Sequence, residues 1–517
     1  MFGLNPRIDL SGLSGVFQTD IDKDKVATSD DIVIWTTQIR RLKGEPFTFD
    51  RREYLLPIYR DTHPNVYVVK GRQVEFTEFA INWLLFHLSK NPFTTGFYAT
   101  DTLEKVSSFS MVRLKEQAIG HSPILRQMFV DDGSVHHMGL PNGSHLYMFS
   151  GFKEFKMSRQ FTIDWAVIDE AQNQELRAIN VIDEAQSHSK FKRKLVLGTG
   201  SLEGDAWHKL WLTGDQKEWD PQAKAWVAKH PENIKVASSY HLPQWVVPWI
   251  SAEEIERKRR EYLPRLFTTE VEGWFFKGAE KPLSEAAIRA LFDNNLHFVP
   301  AVSVNKGQGP VFMGIDWGGG TKAYTIFWVW QAVATDIPRF RVLYLSKVAE
   351  KDTEKQADMA IQLIDSYDPD QVVMDAGGGT RQVQKLADRY GLRTLMNFYT
   401  ERPGQPLEID YDHNAIKTDR TWGIESIIDL ITRPAVDGHN RILIPHVEAD
   451  KVDWIIDHFT AIEAQNVQLP SGKTYVRYDH PQEQPDDALH GCNYAKIAFE
   501  VWKQGVGNYN ILPVTRR

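Results

Sequence analysis

A chain of 517 residues is longer than one hydrophobic core usually supports, so two or three domains are expected. Its formal net charge of -8 excludes a protein that coats nucleic acid over its whole surface, but it is compatible with a local basic groove. The single cysteine excludes an internal disulfide and a zinc site built from cysteines. Apolar runs are far shorter than the roughly 20 residues that span a bilayer, and the first residues lack the pattern of a signal peptide. We therefore expect an intracellular protein.

The first motif in chain order lies where a predicted strand meets a predicted helix. Residues 65–69, NVYVV, suit a strand, and residues 78–88 suit an apolar helix. A loop in this setting often binds phosphate, because backbone N–H groups and the helix N-terminus face the ligand. The loop ends in Glu-Phe-Thr instead of the usual Gly-Lys-Ser/Thr. Thr77 is still placed to bind Mg²⁺, and Lys70 and Arg72 supply positive charge at the front of the loop.

Two residues of this loop depart from the usual consensus. Phe76 occupies the position of the usual lysine and cannot pair with phosphate. Glu75 would repel phosphate if it faced the ligand, so we expect its side chain to point to solvent. Lys70 has a flexible stem that could carry its ammonium group over the β- and γ-phosphates. A solvated lysine at a strand end is the alternative. Arg72 could bind a phosphate through two hydrogen bonds or act as a sensor in the same subunit.

The second motif, residues 165–172 (WAVIDEAQ), is an apolar run that ends in two adjacent acids. This pattern is typical of the Walker B strand of P-loop ATPases. There, Asp169 would orient water bound to Mg²⁺, and Glu170 would polarise the water that attacks the γ-phosphate. A strand that simply ends in two solvated acids is the alternative. Residues 181–186 repeat VIDEAQ without an apolar run ahead of them, so we predict that this second copy belongs to a helix.

Acids occupy matched positions in the second half of the chain. Asp316 and Asp375 each end a predicted buried strand and are followed by glycines, and Asp486 and Asp487 open a predicted helix. Brought together across a sheet, such carboxylates form the cluster of an RNase H-like nuclease, which holds two divalent ions. Taken singly, each acid also suits a purely structural role at a strand end or a helix N-terminus.

These patterns together predict an α/β chain. Strands alternate with helices in the first part, which predicts a P-loop ATPase domain with a mostly parallel sheet and ligands at the strand ends. An RNase H-like α/β nuclease domain is expected to follow. The predicted segments are an N-terminal extension (1–45), the ATPase domain (46–210), a linker subdomain (211–304), the nuclease domain (305–500) and a C-terminal tail (501–517).

An ATPase followed by a nuclease, in this order and at this length, resembles the large terminase subunit of tailed bacteriophages. The resemblance runs from about residue 45 to about residue 500. The pair Arg72-Gln73 is similar to the Arg-Gln of the terminase phosphate loop, and Lys70 stands where some members carry a lysine at the front of that loop. The resemblance implies that the nucleotide site is formed by Lys70, Gly71, Arg72, Gln73, Thr77, Asp169 and Thr199.

Further segments extend the resemblance. Residues 198–200, Gly-Thr-Gly, look like the coupling motif, although its usual proline is absent. Arg159 lies where some members carry an arginine finger, and residues 266–275 resemble the short motif that ends the linker region. The implied catalytic residues are Glu170, Arg159, Asp316, Asp375 and Asp487, and the implied metal ligands are Asp316, Asp375, Asp486 and Asp487 in the nuclease and Thr77 and Asp169 at the nucleotide.

The function implied by the resemblance is a DNA-packaging motor. ATP hydrolysis would translocate double-stranded DNA into a procapsid, and the nuclease would cut concatemers. The implied cofactors are ATP with one Mg²⁺, and two Mg²⁺ or Mn²⁺ ions in the nuclease. The implied partners are DNA, a portal protein, a small terminase subunit and further copies in a ring, commonly a pentamer, with no membrane. The chain would act in the host cytoplasm and at the portal vertex, and would be absent from the mature virion.

Two other functions fit the same motifs. A helicase-like ATPase fused to a nuclease could serve DNA repair or defence, but a helicase should carry further motifs between two ATPase lobes, and only one lobe is visible. An inactive ATPase that serves as a DNA-binding scaffold would explain the unusual Glu75-Phe76 pair. ATP hydrolysis by the purified protein would separate the scaffold from both enzymes.

Overall fold

The computed structural model describes residues 29–129, 133–150, 162–174, 176–278, 280–318, 324–334, 338–377, 380–401, 406–435, 437–445, 449–468, 474–481 and 484–508. The chain divides into two compact units. The first comprises Met1–Lys277 with Gln468–Tyr475, and the second comprises Gly278–Val467 with Val476–Arg517. No helix in the described part of the chain is both long and apolar enough to cross a membrane.

The first unit is built around a nine-stranded sheet in the order β10-β9-β11-β3-β8-β7-β4-β6-β5, and β1 and β2 form a separate pair. These strands are β1 (Arg41–Leu42), β2 (Glu45–Pro46), β3 (Asn65–Lys70), β4 (Thr95–Thr100), β5 (His137–Gly139), β6 (His145–Ser150), β7 (Trp165–Ile168), β8 (Arg193–Gly198), β9 (Lys217–Asp220), β10 (Ala225–Ala228) and β11 (Ser238–Leu242). The central strands are apolar and buried, as expected for a parallel sheet that is covered on both faces.

Helices cover this sheet. They are α1 (Ile32–Ile39), α2 (Leu56–Tyr59), α3 (Phe76–Lys90), α4 (Leu103–Ser107), α5 (Pro123–Met128), α6 (Leu176–Ala185), α7 (Ala206–Leu212), α8 (Ala252–Glu261) and α9 (Pro264–Phe267), with π-helical turns at Ser108–Gly120 and Thr268–Glu272 and short 3-10 turns at Glu53–Leu55, Ala171–Asn173, Pro231–Lys235 and Gln244–Val246. Side-chain caps define several helix starts. Asp31, for example, accepts a hydrogen bond of 2.7 Å from the Val33 amide at the start of α1.

The register of the parallel strands brings three loops to one edge of the first sheet. Strand β8 lies between β3 and β7, with Val69 opposite Gly198 and Ile168 opposite Val196. The residues that follow these strands therefore emerge side by side at their carboxyl ends. This edge is where α/β sheets commonly bind ligands.

A second nine-stranded sheet, in the order β12-β20-β15-β14-β13-β16-β17-β19-β18, forms the second unit, and β21 and β22 form a separate two-stranded sheet. Strands β13, β14 and β15 form an antiparallel meander, and β16 and β17 extend it in parallel to β13. The strands are β12 (Phe292–Asp293), β13 (Val311–Asp316), β14 (Thr325–Ala334), β15 (Arg339–Val348), β16 (Gln371–Asp375), β17 (Thr394–Thr400), β18 (Leu407–Asp410), β19 (Ala415–Asp419), β20 (Ile442–Pro445), β21 (Glu463–Gln468) and β22 (Thr474–Asp479).

The helices of the second unit are α10 (Glu285–Arg289), α11 (Thr353–Tyr367), α12 (Thr380–Tyr390), α13 (Arg420–Thr432), α14 (Ala449–Thr460) and α15 (Asp487–Asn508), with 3-10 turns at Ala301–Ser303, Lys306–Gln308 and Gly391–Arg393. Helix α15 packs directly on the backbone of β13. A Cβ atom on Gly314 would lie 2.1 Å from the carbonyl oxygen of Gly491 and 2.3 Å from the amide nitrogen of Ala495. Glycine at position 314 therefore allows the helix to lie close to the strand that ends in Asp316.

The predicted α/β fold class is confirmed in both units. The prediction that the second VIDEAQ copy is helical is also confirmed, because its first five residues, 181–185, lie in α6. The boundaries differ from the predicted segments. Strands β9, β10 and β11, in the stretch predicted as a linker, pair in the first sheet, and the two units divide between Lys277 and Gly278. Helix α15 continues through Asn508, beyond the predicted start of the tail.

Candidate active sites

The loop after β3 has an unusual backbone that other segments hold in place. Gln73 and Glu75 have φ values of 61° and 64°, in the left-handed region. The amide of Arg72 donates a hydrogen bond of 2.8 Å to the carbonyl of Glu270. A Cβ atom on Gly71 would lie 2.7 Å from the carbonyl oxygen of Val271, so only glycine fits there. Contacts with residues 270–271 thus fix the backbone of this loop.

Glu75 does not point freely to solvent, so that expectation is wrong. Its carboxylate forms an ion pair with Arg52, whose Nη2 lies 2.8 Å from Glu75 Oε1. The guanidinium carbon of Arg52 lies 5.4 Å from the ring centroids of both Phe47 and Trp249. A cation from the N-terminal part of the chain therefore neutralises the glutamate that the loop carries. No sequence pattern indicates this pairing, because Arg52 and Glu75 are joined by tertiary structure alone.

Phe76 is a core residue. Its side chain is 1% exposed and packs edge-on against Phe79, with 5.7 Å between ring centroids. The position that usually carries the phosphate-binding lysine thus faces the hydrophobic interior under α3. Thr77 follows it, half-buried, in the first turn of α3.

We expect Phe76→Ala to lower the free energy of unfolding by about 3–5 kcal/mol, because it leaves a cavity in a packed core. Denaturant unfolding of the full chain, followed by a probe in the first unit, measures this change. Phe93→Ala is the matched control, because Phe93 is 84% exposed and its removal should change stability little. Equal losses for both variants would contradict the assignment of Phe76 to the core.

The two acids after β7 have different surroundings. Asp169 is buried, and its Oδ2 accepts a hydrogen bond of 3.1 Å from the Tyr98 hydroxyl, while Oδ1 accepts one of 2.9 Å from the Glu170 amide. Burial raises the pKa of Asp169, and the positive charge of Lys70 acts in the opposite direction. Glu170 has a left-handed φ of 54° and lies beyond the strand end. The backbone turn directs the second carboxylate away from the core that holds the first.

Gln172 connects Glu170 to the loop after β8. Its side-chain amide donates a hydrogen bond of 2.5 Å to Glu170 Oε2, and its carbonyl oxygen accepts one of 3.0 Å from the Thr199 amide. Thr199 is itself buried and accepts a hydrogen bond of 3.0 Å from the Trp207 indole at its carbonyl. The sequence motif predicted the two acids but not the contact of Gln172 with Thr199. That contact requires β8 to lie beside β7 in the sheet.

A third carboxylate, Glu270, joins the predicted residues at this edge. It forms an ion pair with Arg72, and it interacts electrostatically with Lys70 and Glu170. Burial raises the pKa of Glu270, and Arg72 opposes that shift. Glu270 is not among the residues that the sequence predicted for this site. The only signal was that residues 266–275 resembled a terminase motif, which carried no chemical role for this acid.

Residues 268–276 tie the loops after β3 and β8 together. Gly273 has a φ of +63°, and a Cβ atom on it would lie 2.3 Å from the Gly71 amide nitrogen. The amide of Phe276 donates a hydrogen bond of 2.7 Å to the carbonyl of Ser201, and a Cβ atom on Gly200 would lie 1.7 Å from the Trp274 carbonyl oxygen. One segment thus packs against both loops at backbone distance.

Residues 151–161, which include the predicted arginine finger Arg159, lie outside the described residues. Of the other predicted nucleotide-site residues, Lys70 ends β3, Thr77 lies in the first turn of α3, and the rest lie on the loops after β3, β7 and β8, which emerge at one edge of the first sheet. Lys70 and Asp169 are near enough to affect each other electrostatically. Gln73 is exposed, and its carbonyl accepts a hydrogen bond of 3.4 Å from the Trp249 indole.

The predicted acids of the second unit share one edge of its sheet. Asp316 and Asp375 end the parallel neighbours β13 and β16, whose register places Ile315 opposite Met374. Asp487 begins α15, which packs on β13. Burial raises the pKa of Asp316 well above its usual value, and Asp375, Asp487 and Asp486 each raise it further. The four carboxylates therefore act on one another as a cluster of like charges.

The adjacent residues Asp486 and Asp487 have different partners. Asp486 Oδ2 lies 2.9 Å from His490 Nε2, and its Oδ1 lies 3.5 Å from His480 Nε2. Burial would raise the pKa of Asp486, but these histidines together with Arg420 lower it to about 2. Asp487 Oδ2 instead accepts a hydrogen bond of 3.2 Å from the Tyr324 amide, and burial raises its pKa. Both oxygens of Asp486 are thus engaged by histidines.

The donor set of this edge suits a hard cation, because it consists of carboxylate oxygens. Asp375 is further held by Tyr494, whose hydroxyl donates a hydrogen bond of 3.3 Å to its Oδ1. Across the residues that the structure describes, no three histidine, cysteine, aspartate or glutamate side chains already stand together at metal-binding geometry. His480, His490 and Tyr494 were missed by the sequence analysis, although His490 stands one helical turn after Asp486.

The solved structures similar to this chain include large terminases. One large terminase, from a thermophilic bacteriophage, is 13% identical, with a TM-score of 0.49, and the match covers 89% of this chain and 100% of that chain. The ATPase domain of the Thermus phage P74-26 large terminase is 18% identical, with a TM-score of 0.36, over 45% of this chain and 95% of that chain. The large terminase nuclease of the thermophilic phage G20c is 14% identical, with a TM-score of 0.27, over 42% of this chain and 98% of that chain.

No family model matches the chain, and no curated protein matches it in sequence. The similar structures belong to the family that the sequence motifs resemble. Because their identities and TM-scores are low, the function proposed below rests on the residues of this chain.

Proposed function

We propose that this chain is a large terminase subunit, which uses ATP to move double-stranded viral DNA into a procapsid and cuts concatemeric DNA with a metal-dependent endonuclease. The observation that carries the proposal is the presence of two acidic strand-end sites in one chain. The first unit places Lys70, Asp169 and Glu170 at one sheet edge, and the second places Asp316 and Asp375 at another with the start of α15 beside them.

In the first unit, Glu170 is the residue we assign to polarising the attacking water. Gln172 donates a hydrogen bond to one carboxylate oxygen of Glu170. This bond fixes the orientation of the whole carboxylate, including its other oxygen. Lys70 leaves the strand beside Asp169 and would cover the phosphates. Thr77 and Asp169 suit one Mg²⁺ ion, because both present oxygen ligands. Such an ion would neutralise charge on the β- and γ-phosphates.

In the second unit, we assign Asp316, Asp375 and Asp487 as ligands of two divalent ions, with Asp486 as a supporting acid. The raised pKa of Asp316 supports this assignment, because a cluster of carboxylates that repel one another is stabilised by bound cations. Asp487 is the better candidate of the adjacent pair, since histidines already engage Asp486. The ions would activate water and stabilise the leaving oxygen during phosphodiester cleavage.

The partners in this proposal are double-stranded DNA, a portal protein, a small terminase subunit and further copies of the chain in a ring, with five subunits as the expected number. Arg159 would act as an arginine finger in that ring. The site of action would be the portal vertex of the procapsid in the host cytoplasm.

The deciding experiment incubates the purified chain with procapsids, linear DNA and ATP, and then adds DNase. Packaging predicts protected DNA that depends on both procapsids and ATP. Plasmid cleavage with Mn²⁺ in the same preparation tests the nuclease separately. Cleavage and ATP hydrolysis without protection would favour the ATPase–nuclease of repair or defence.

We expect Lys70→Ala to reduce ATP turnover by about 10²–10³-fold, because it removes the cation that would meet the phosphate charge. Steady-state hydrolysis by the full chain, at saturating ATP and Mg²⁺, measures the effect. Lys209→Ala removes an equal charge from an exposed position on α7 and should leave turnover unchanged. Normal turnover by Lys70→Ala would transfer the role of principal cation to Arg72.

A further inference from the structure

Lys347 lies in the same row of the second sheet as the first nuclease acid. Asp316 pairs with Ile326 across β13 and β14, and Ile326 pairs with Lys347 across β14 and β15. Side chains that are directly opposite in neighbouring strands point to the same face of a sheet. Lys347 and Asp316 are therefore on one face, with their backbones two strand spacings, or about 10 Å, apart.

The ammonium group of Lys347 is held by aromatic rings. Its Nζ lies 4.0 Å from the ring centroid of Tyr324 and 5.1 Å from that of Trp454. The backbone amide of Tyr324 donates to Asp487, so the same residue connects the lysine to a nuclease acid. Cation–π contacts of this kind hold a charge in place and leave its N–H groups able to donate hydrogen bonds.

Lys347 interacts electrostatically with acids of the site but, among the described residues, forms no ion pair with them. Asp487 and Asp457 interact with it electrostatically, yet among the described residues no carboxylate oxygen lies within 4.0 Å of its Nζ. Burial lowers the pKa of Lys347, and the two acids act against that shift. The group is thus a positioned cation at the edge of an acidic cluster, with donors available to a further anion.

The surroundings fix this position. Trp454 lies on α14, one turn before His458, and their rings meet edge-on at 5.4 Å between centroids. His458 is buried, and its Nδ1 accepts a hydrogen bond of 3.2 Å from the amide of Ala488 at the start of α15. Helix α14 therefore holds both the ring beside Lys347 and the start of the helix that carries Asp487.

We propose that Lys347 binds a backbone phosphate of the DNA strand that is cut, beside the metal-binding acids. The inference rests on the proposed nuclease function. Four carboxylates at this edge repel the DNA backbone, so substrate approach needs a positive group that the acids do not neutralise. Lys347 can supply this positive charge, because its ammonium group packs against the rings of Tyr324 and Trp454 and, in the described part of the chain, not against a carboxylate. An ion pair that merely balanced Asp487 would instead place Nζ in contact with the carboxylate.

The test is binding of the full chain to a duplex of about 25 base pairs, in Ca²⁺, over a series of salt concentrations. Lys347→Met keeps the stem of the side chain and removes its charge. We expect Kd to rise about tenfold and the slope of log K against log[salt] to fall by about 0.9, the loss of one phosphate contact. Lys385→Met is the control, because Lys385 carries an equal charge but pairs with Glu354 and Asp358 on α11.

Lys347→Arg should restore most of the affinity and the salt slope, because it returns the charge to the rings. Unchanged Kd and slope in Lys347→Met would overturn the proposal, and so would a fall in kcat for cleavage with an unchanged slope, which would give the lysine a role through Asp487 alone. Thermal unfolding checks each variant, and Lys347→Gln replaces any that is unfolded. If the wild-type chain binds DNA in Ca²⁺ but does not cut it in Mn²⁺, the nuclease proposal fails, while the binding series still decides whether Lys347 contacts DNA.

Discussion

Glu170→Gln should hydrolyse ATP about 10²–10⁴-fold more slowly than the wild-type chain and bind ATP with nearly unchanged affinity. The substitution keeps the size of the side chain and its hydrogen bond with Gln172, but it removes the charge that we propose polarises the attacking water. Steady-state hydrolysis gives the rate, and equilibrium titration with a fluorescent ATP analogue gives the affinity. Loss of both rate and affinity would assign Glu170 to binding the nucleotide instead.

The chain supplies its own control for this substitution. The second VIDEAQ copy contains Glu184, which lies in α6 with an exposed side chain. Its neighbour Asp183 forms an ion pair with Lys194. Glu184→Gln therefore makes the same chemical change in the same six-residue sequence and should leave hydrolysis unchanged. Loss of hydrolysis in Glu184→Gln alone would show that the first copy was wrongly chosen.

The two copies show what local sequence could decide. An apolar run precedes only the first copy, and that run forms β7 because continuous burial suits a central parallel strand. The second copy has polar residues ahead of it and forms a helix. Periodicity therefore separated two identical hexapeptides. It could not predict that Gln172 would meet both Glu170 and Thr199, since that contact depends on the order of strands in the sheet.

The loop after β3 shows where local sequence was insufficient. The departures at positions 75 and 76 were visible, but their consequences were not. Phe76 is a core residue, and Glu75 pairs with Arg52, which lies 23 positions earlier in the chain. Glu270 joined the loop from an even greater distance along the chain. Ion pairs of this kind are determined by tertiary packing. No regular spacing in the sequence relates the two partners, so a single sequence does not indicate them.

In the second unit, the sequence predicted the acids because strand ends and helix starts are local features. Lys347 was not predicted, although its β-strand was. A lysine within a strand gives no indication of which acids face it until the register is known, and here the register through Ile326 relates it to Asp316. The acids could therefore be predicted from motifs, whereas the position of Lys347 relative to them could be known only from the strand register.

Asp316→Asn should reduce DNA cleavage in Mn²⁺ by about 10³-fold or more, because loss of a ligand costs several kcal/mol of transition-state stabilisation. Nicking of supercoiled plasmid by the full chain measures the rate. Asp368→Asn is the control, since Asp368 is exposed, pairs with Lys306 and Arg393, and precedes β16, the strand whose opposite end carries Asp375. Of the adjacent pair, Asp487→Asn should cost more activity than Asp486→Asn. Cleavage at the wild-type rate by Asp316→Asn would contradict the nuclease assignment.

The same substitution should stabilise the metal-free chain, and this second effect separates a lost ligand from a damaged fold. The pKa of Asp316 is raised in the folded state by burial and by Asp375, Asp487 and Asp486. The folded state therefore binds this proton more tightly than the unfolded state does, and stability falls as pH rises from the ordinary pKa of an aspartate toward the raised one. At neutral pH with EDTA, Asp316→Asn should raise Tm, because it removes a charge that its neighbours repel. Excess Mn²⁺ should raise the Tm of the wild-type chain more than that of Asp316→Asn, since only the wild-type cluster keeps its full charge. A variant that loses cleavage while gaining stability without metal has lost a functional carboxylate and kept its structure.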